Sequence, residues 1–222
     1  MHVKKLIMLY FSPTGTTKKI IETISGSVQC ETLETIDFTK KKIRENADVD
    51  LNADLVIIGT PAYYGRIPNE VTDYLSKIHV NNVYAVLVVV YGNREYEDSL
   101  KELYDTACAA GFIPIACAAF IGEHSYSSEK LPMAHGRPDD MDLERAKLFG
   151  ATIQKEFRSL ITLDNINKIS IPGSSDYKNK TMPKYPVAPE TLKECCAMCN
   201  RCLEVCPVEA ISVDGQSNLR TI

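Results

Sequence analysis

Five of the chain's eight cysteines, Cys195, Cys196, Cys199, Cys202 and Cys206, crowd one short stretch near its end. From Cys196 to Pro207 the residues read C-x2-C-x2-C-x3-C-P, the spacing with which thiolates wrap a cubane 4Fe-4S cluster. Cys196, Cys199, Cys202 and Cys206 are therefore the candidate metal ligands, and Pro207 is expected to end the wrap before a short helical turn. Zinc is the competing chemistry, but small zinc sites draw on histidine or on two separated ligand pairs, and no histidine follows His135. Cys30, Cys108 and Cys117 are scattered through segments that read as strand or helix, where a free cysteine is usually a small buried hydrophobe. No chemistry is assigned to them.

Three further stretches carry chemistry of another kind. Ser12-Pro13-Thr14-Gly15-Thr16-Thr17 is dense in hydroxyls, contains a glycine that permits close backbone approach, and stands just before a helix. Helix amides and the helix dipole at that point suit a phosphate. The loop lacks the G-x-x-x-x-G-K-[ST] spacing of nucleoside triphosphate binders and the G-x-G-x-x-G spacing of dinucleotide binders. The second stretch, Pro61-Ala62-Tyr63-Tyr64-Gly65, and the third, Tyr91-Gly92-Asn93-Arg94 followed by Tyr96, each set aromatic faces beside a glycine. Together with a phosphate loop they bracket a flat aromatic ligand carrying one phosphate, a description that FMN fits.

These loops need a scaffold that brings them together, and the apolar runs supply one. Val3 to Tyr10, Asp54 to Gly59, Val83 to Tyr91 and Pro114 to Ile121 read as buried parallel strands, with a weaker strand at Val28 to Glu34. Thr16 to Ser25, Asn69 to Lys77 and Asp98 to Ala110 suit helices, the last closed by Gly111. A longer helix is expected over Asp140 to Leu160, where Ala146, Phe149, Ile153, Phe157 and Leu160 recur at helical steps. The alternation predicts an α/β fold, a doubly wound five-stranded parallel sheet in the order 2-1-3-4-5. In such sheets ligands bind beyond the carboxyl ends of the strands, where the three loops lie. The segment from Gly122 to Pro138 leaves that same end and reads equally as a lid or docking loop or as a surface loop with solvated His124, His135 and Arg137. After Ile161 the periodicity stops, and Pro172, Gly173, Ser174, Ser175, Pro183, Pro186 and Pro189 mark 161–190 as a linker.

The formal net charge of -4 argues against nucleic acid as a partner, because phosphate-backbone binding needs a basic field. The short apolar run at the start is interrupted by Pro13, Thr14 and Gly15 before a signal or membrane helix could form. A cytoplasmic protein with no membrane partner is expected.

Tyr10-Phe11-Ser12-Pro13-Thr14-Gly15-Thr16-Thr17 resembles the flavodoxin signature of an aromatic and a hydroxyl residue followed by Gly-x-Thr. Ile21 departs from it, since alanine is usual there. The resemblance covers residues 1–160 and implies that Ser12, Thr14, Gly15, Thr16 and Thr17 hold the FMN phosphate. It further implies that Tyr64 and Tyr96 flank the ring, with Tyr63 as an alternative to Tyr64, and that Gly65 lies near flavin N5 and can turn its carbonyl toward it. The whole sequence, including PAYYGRIP and YGNREYED, resembles flavodoxin-ferredoxin fusion proteins of anaerobes. That likeness implies 191–222 as the first part of a bacterial-type ferredoxin domain.

The resulting expectation is an electron-transfer flavoprotein that passes electrons between FMN and iron-sulfur clusters in anaerobic low-potential metabolism. Redox proteins of unassigned identity are the expected partners, and a homodimer is admissible. The rival is a flavin-dependent reductase or oxidase of quinone or porphyrinogen type that uses the ferredoxin as its electron port. A third reading is a redox sensor. Two clusters are expected in a full-length protein. In two-cluster ferredoxins the fourth cysteine of a run serves the other cluster, and no cysteine follows Cys206, so an incomplete cluster site and a truncated chain are also expected.

Overall fold

The computed structural model describes residues 2–45, 51–159, 169–180 and 191–212. Its elements alternate: β1 (Val3–Tyr10), α1 (Thr16–Ser25), β2 (Cys30–Asp37), α2 (Lys41–Glu45), β3 (Leu55–Pro61), α3 (Asn69–Leu75), β4 (Val83–Tyr91), α4 (Ser99–Ala109), β5 (Phe112–Ile121) and α5 (Asp140–Ser159). A 3-10 turn at Lys193–Cys195 and a short helix, α6 (Arg201–Val205), follow. The five strands pair in parallel in the order β2-β1-β3-β4-β5, as the sequence predicts.

The central strands are apolar on both faces because helices cover both. Ile7, Leu9, Val56, Ile58, Ala85, Leu87 and Val89 point into one core with Val71, Tyr74, Leu100 and Leu103 of α3 and α4. Their alternate neighbours Leu6, Met8, Leu55, Ile57, Val86 and Val88 point into the other with Ile20, Ile21, Ile24, Ala146, Ile153 and Phe157 of α1 and α5. Each large aliphatic group buried in this way contributes about 1.5 to 3 kcal/mol relative to exposure. Ile21 fits because position 59 has no side chain: a Cβ there would lie 2.5 Å from Ile21 Cγ1. The larger residue on α1 and the glycine on β3 thus form one packing solution.

Several expected boundaries move: β3 spans Leu55–Pro61, β5 starts at Phe112, α3 ends at Leu75 and α4 spans Ser99–Ala109. β2 runs from Cys30 to Asp37 instead of Val28 to Glu34, with most of its side chains exposed, as an edge strand permits. The long helix begins at Asp140 as expected. Its expected last residue Leu160 and the linker positions Pro183, Pro186 and Pro189 lie outside the described residues. Among the described residues no helix is long and apolar enough to cross a membrane.

Candidate functional site

The sheet brings the carboxyl ends of β1, β3, β4 and β5 to one edge, at the point where the backbone winds from one side of β1 to the other. Between β1 and α1 the loop turns at Gly15, whose φ of +81° is a left-handed conformation that disfavours a Cβ. Ser12 organises this loop. Its N–H donates to Thr39 Oγ1 at 2.8 Å, its Oγ accepts the Lys18 N–H at 3.0 Å, and its carbonyl accepts the Gly15 N–H at 3.2 Å. The Thr14 and Thr16 hydroxyls lie 3.2 Å apart. Among the described residues the amides of Thr14, Thr16 and Thr17 take no hydrogen-bond partner. Free amides at a helix start, beside hydroxyls, can hold a phosphate oxygen.

The loop after β3 is a tight turn in which Tyr63 and Arg66 exchange backbone hydrogen bonds of 2.8 and 3.0 Å. Tyr64 and Gly65 at its tip have φ of +54° and +76°, the signs required by a type I′ turn. Tyrosine in that conformation is strained, by roughly 1 to 2 kcal/mol, and such strain gathers at binding sites. The turn is clamped from outside the cavity. Glu102, almost fully buried, accepts Arg66 Nε at 2.8 Å, Arg66 Nη2 at 2.6 Å and the Ile67 N–H at 2.9 Å. The Asp98 N–H donates to the Gly65 carbonyl at 2.9 Å, so the carbonyl expected to turn toward a flavin is engaged by the β4 loop here.

These loops and the one after β5 line a single cavity of about 990 Å³. Of the residues singled out in the sequence, Thr14, Thr16, Thr17, Pro61, Ala62, Tyr63, Tyr64, Gly65, Tyr91, Gly92 and Arg94 all line it. Ser12, Gly15, Asn93 and Tyr96 do not. Ser12 and Gly15 shape the β1–α1 loop from behind. Asn93 takes a positive φ of 59° in the turn. Tyr96 was expected against the ring, but it packs edge-on against Tyr91 at 5.3 Å and joins the core under α4. Its apolar body is withdrawn from water there, and Tyr91 presents the aromatic face instead.

Several lining residues were not assigned from sequence. The β5 loop contributes Gly122, Glu123, His124, Ser125, Tyr126 and Met133. His124 lies against Gly92, where a Cβ would come within 2.7 Å of its Cγ, so the glycine makes room for the imidazole. Its Nδ1 accepts the Tyr126 N–H at 3.1 Å, which leaves the ring proton on Nε2 when the imidazole is neutral. The Tyr126 hydroxyl lies 3.4 Å from that of Tyr64, and this contact, more than burial, raises the Tyr64 phenol above its ordinary acidity range. Hydrogen bonds from Ser127, His135 and the Gly136 amide hold the Glu123 carboxyl below the usual range. This loop is therefore internally fastened, and it closes one side of the cavity. Glu95, Glu97 and, from the segment after α5, Lys178 complete the wall. The run leaving β5 was visible as a candidate in the sequence, whereas Lys178 carries no local signal.

The cysteine segment docks beside the carboxyl ends of β1 and β2. Arg44, itself buried, donates to the carbonyls of Phe38 at 3.0 Å, Thr39 at 2.5 Å and Pro207 at 2.5 Å, with its guanidinium over the Phe11 ring. Lys41 faces Glu209 at 3.9 Å. The helical turn of this segment, α6, lies inside the cysteine run and ends before Pro207 instead of following it, consistent with the restriction proline places on the preceding residue. None of the eight cysteines is in a disulfide. Among the described residues no three His, Cys, Asp or Glu side chains are gathered to hold a metal ion, so Cys196, Cys199, Cys202 and Cys206 do not form a ready cluster site. Of the remaining cysteines, burial pushes the Cys117 thiol up to about 12, whereas Cys108 is exposed and so departs from the buried role expected of it.

Comparison with known proteins accords with this architecture. The solved structure of oxidised flavodoxin 1 from Bacillus cereus is 20% identical, covers 72% of this chain and 100% of its own, and superposes with a TM-score of 0.51. The apo form of an NADH:FMN oxidoreductase is 15% identical, covers 72% of this chain and 91% of its own, with a TM-score of 0.50. At these identities both speak to the fold alone. No curated protein matches the chain. A family model described as the flavodoxin domain matches residues 7–128, more than half of the chain and all five strands but the start of β1. The chain therefore belongs to the flavodoxin domain family.

Proposed function

We propose that the cavity binds FMN and that the protein is an electron carrier. The observation that carries this reading is the convergence on one cavity of the start of α1, where the Thr14, Thr16 and Thr17 amides take no partner among the described residues, and two loops that pair aromatic side chains with glycine. The amides of Thr14, Thr16 and Thr17, with the hydroxyls of Thr14 and Thr16, would hold the phosphate. Tyr64 and Tyr91 would cover the ring, and Gly65 and Gly92 would let the backbone approach it. When bound, FMN supplies reversible uptake of one or two electrons. The protein's own part is to orient the ring, fix its phosphate and limit water access through the β5 loop.

Coupling to an iron-sulfur centre within the same polypeptide is supported by the cysteine spacing from Cys196 to Cys206 and by the docking of that segment next to Thr39, whose hydroxyl holds Ser12 of the phosphate loop. The thiols as arranged do not fit a cluster. Iron and acid-labile sulfide analysis of anaerobically prepared protein tests this part. Values at background would count against a cluster.

A second reading, a flavin-dependent reductase or oxidase, is favoured by the extension of the cavity beyond the three loops to His124, Tyr126 and Met133, which leaves room for a second ligand. Stopped-flow mixing of the reduced FMN-loaded protein with one-electron protein acceptors, beside steady-state assays with quinones and NAD(P)H, separates the two. Fast exchange with protein acceptors and no saturable turnover of small substrates is expected of a carrier. Saturable quinone turnover would reverse the assignment.

A further inference from the structure

The polypeptide beyond α5 returns across the start of α4 and is fastened there. Both oxygens of Asp98 accept backbone amides from it, Ser174 at 2.8 Å and Lys178 at 2.7 Å. The Tyr177 hydroxyl donates to Asp105 at 2.6 Å, and the Arg66 guanidinium lies over the Tyr177 ring at 4.6 Å. Arg66 Nη1 also donates to the Lys178 carbonyl at 2.8 Å. Lys178 is thus held through both its own N–H and its own carbonyl, while its side chain is left to reach the cavity wall.

The ammonium of Lys178 pairs there with Glu97 at 2.6 Å. Glu97 abuts the tip of the β3 turn: a Cβ on Gly65 would overlap its Oε2 and come within 2.7 Å of its Cδ. A carboxylate is therefore set against the turn that, on the reading above, lies beside the flavin, and its counter-charge comes from a strap outside the family match at residues 7–128.

We infer that the Lys178–Glu97 pair sets the reduction potential of the flavin in this cavity, with Lys178 a potential-setting residue delivered by the segment that follows the flavodoxin domain. The inference rests on FMN occupancy. Each electron taken up adds negative charge, which an unpaired carboxylate nearby opposes and a cation favours. With Lys178 present the pair is close to neutral. Without it, Glu97 faces the ring as a net negative charge, and the reduced cofactor is held less tightly than the oxidised one. Lys178 is half exposed, so solvent and salt weaken the effect without changing its sign.

The test measures FMN affinity by fluorescence quenching and midpoint potential by mediated titration, in the full-length protein and in Lys178→Met, Lys178→Arg, Glu97→Gln and the Lys178→Met/Glu97→Gln double variant. Lys178→Met should weaken binding of the reduced form about tenfold relative to the oxidised form, a potential lower by about 59 mV for a one-electron step. Glu97→Gln should shift the potential the other way, Lys178→Arg should stay near the parent, and the double variant should return most of the way to it. A strap that merely braces the turn would lower affinity for both redox forms alike and leave the potential unmoved, which would overturn the inference while leaving FMN binding intact. Failure of the parent protein to bind FMN would overturn both.

Discussion

The clamp behind the β3 turn offers a sharp test of how the site is built, because Glu102 touches nothing in the cavity. Its carboxylate is almost fully buried and takes three donors, two from Arg66 and one from the Ile67 amide, while Arg66 is itself largely covered. Glu102→Gln keeps the shape and removes the charge. The best orientation leaves the amide oxygen with Arg66 Nε and Ile67 N–H and turns the NH2 group toward Arg66 Nη2, so one charge-assisted bond is lost and two donors face each other. A charge-assisted bond is worth roughly 1.5 to 3 kcal/mol, and breaking a fully buried pair costs roughly 3 to 5 kcal/mol. Arg66 retains some solvent contact, which argues for about 2 to 3 kcal/mol. With a urea m-value of roughly 2 kcal/mol/M, the denaturation midpoint should fall by about 1 M. FMN affinity should fall as well, since Tyr64 and Gly65 ride on this turn. Circular dichroism of urea unfolding, run for Glu102→Gln, Arg66→Met and the double variant, measures both the loss and the coupling. A loss under about 0.5 kcal/mol, or strictly additive single effects, would refute the clamp.

Other consequences follow from the same geometry. Gly65→Ala should destabilise the turn by about 1 to 2 kcal/mol for its left-handed φ alone, with a further loss as Glu97 is displaced, and both should appear as a lower melting temperature in calorimetry. Thr14→Ala with Thr16→Ala should weaken FMN by roughly 1.5 to 3 kcal/mol per lost hydroxyl bond to the phosphate, read by fluorescence titration, and should leave riboflavin affinity nearly unchanged. The Asp98 carboxyl is held below its ordinary value of 3.8 by the Ser174 and Lys178 amides. A folded-state value below the unfolded one means that its contribution is present above about 4 and is lost as pH falls through the lowered value. Carbon-detected NMR titration of Asp98, with amide exchange at Lys178 corrected for intrinsic rate, should show the strap loosening only in that acid range. Loosening near neutral pH would contradict the assignment.

What the sequence disclosed and what it hid differ for physical reasons. β1, β4 and α1 were legible to the residue because both faces of the two strands are buried and one face of the helix is, which leaves dense apolar runs and a clear helical period. β2 was read two residues early at its start and three at its end, since an edge strand of CETLETID has no apolar run to mark its bounds. α2, with five residues, is too short to show a period. The turn between β1 and α1 was legible through local spacing, as Gly15 at its left-handed position shows. Tyr96 lies off the cavity wall although Glu95 and Glu97 on either side of it line the cavity, because its side chain turns the other way, against the core under α4. Lys178 reaches the cavity only through the Asp98 and Arg66 contacts, a long-range arrangement that leaves no pattern in its own neighbourhood.

The central claim is that the start of α1 and the two glycine-aromatic loops together bind FMN through its phosphate. Its most direct test is a titration of the apoprotein with FMN and with riboflavin, followed by flavin fluorescence and absorption under identical salt. The account predicts one FMN per protein molecule, bound at least about a hundredfold more tightly than riboflavin, since two or more charge-assisted bonds at about 1.5 to 3 kcal/mol each depend on the phosphate. Equal affinity for the two flavins, or no saturable binding of FMN, would contradict it.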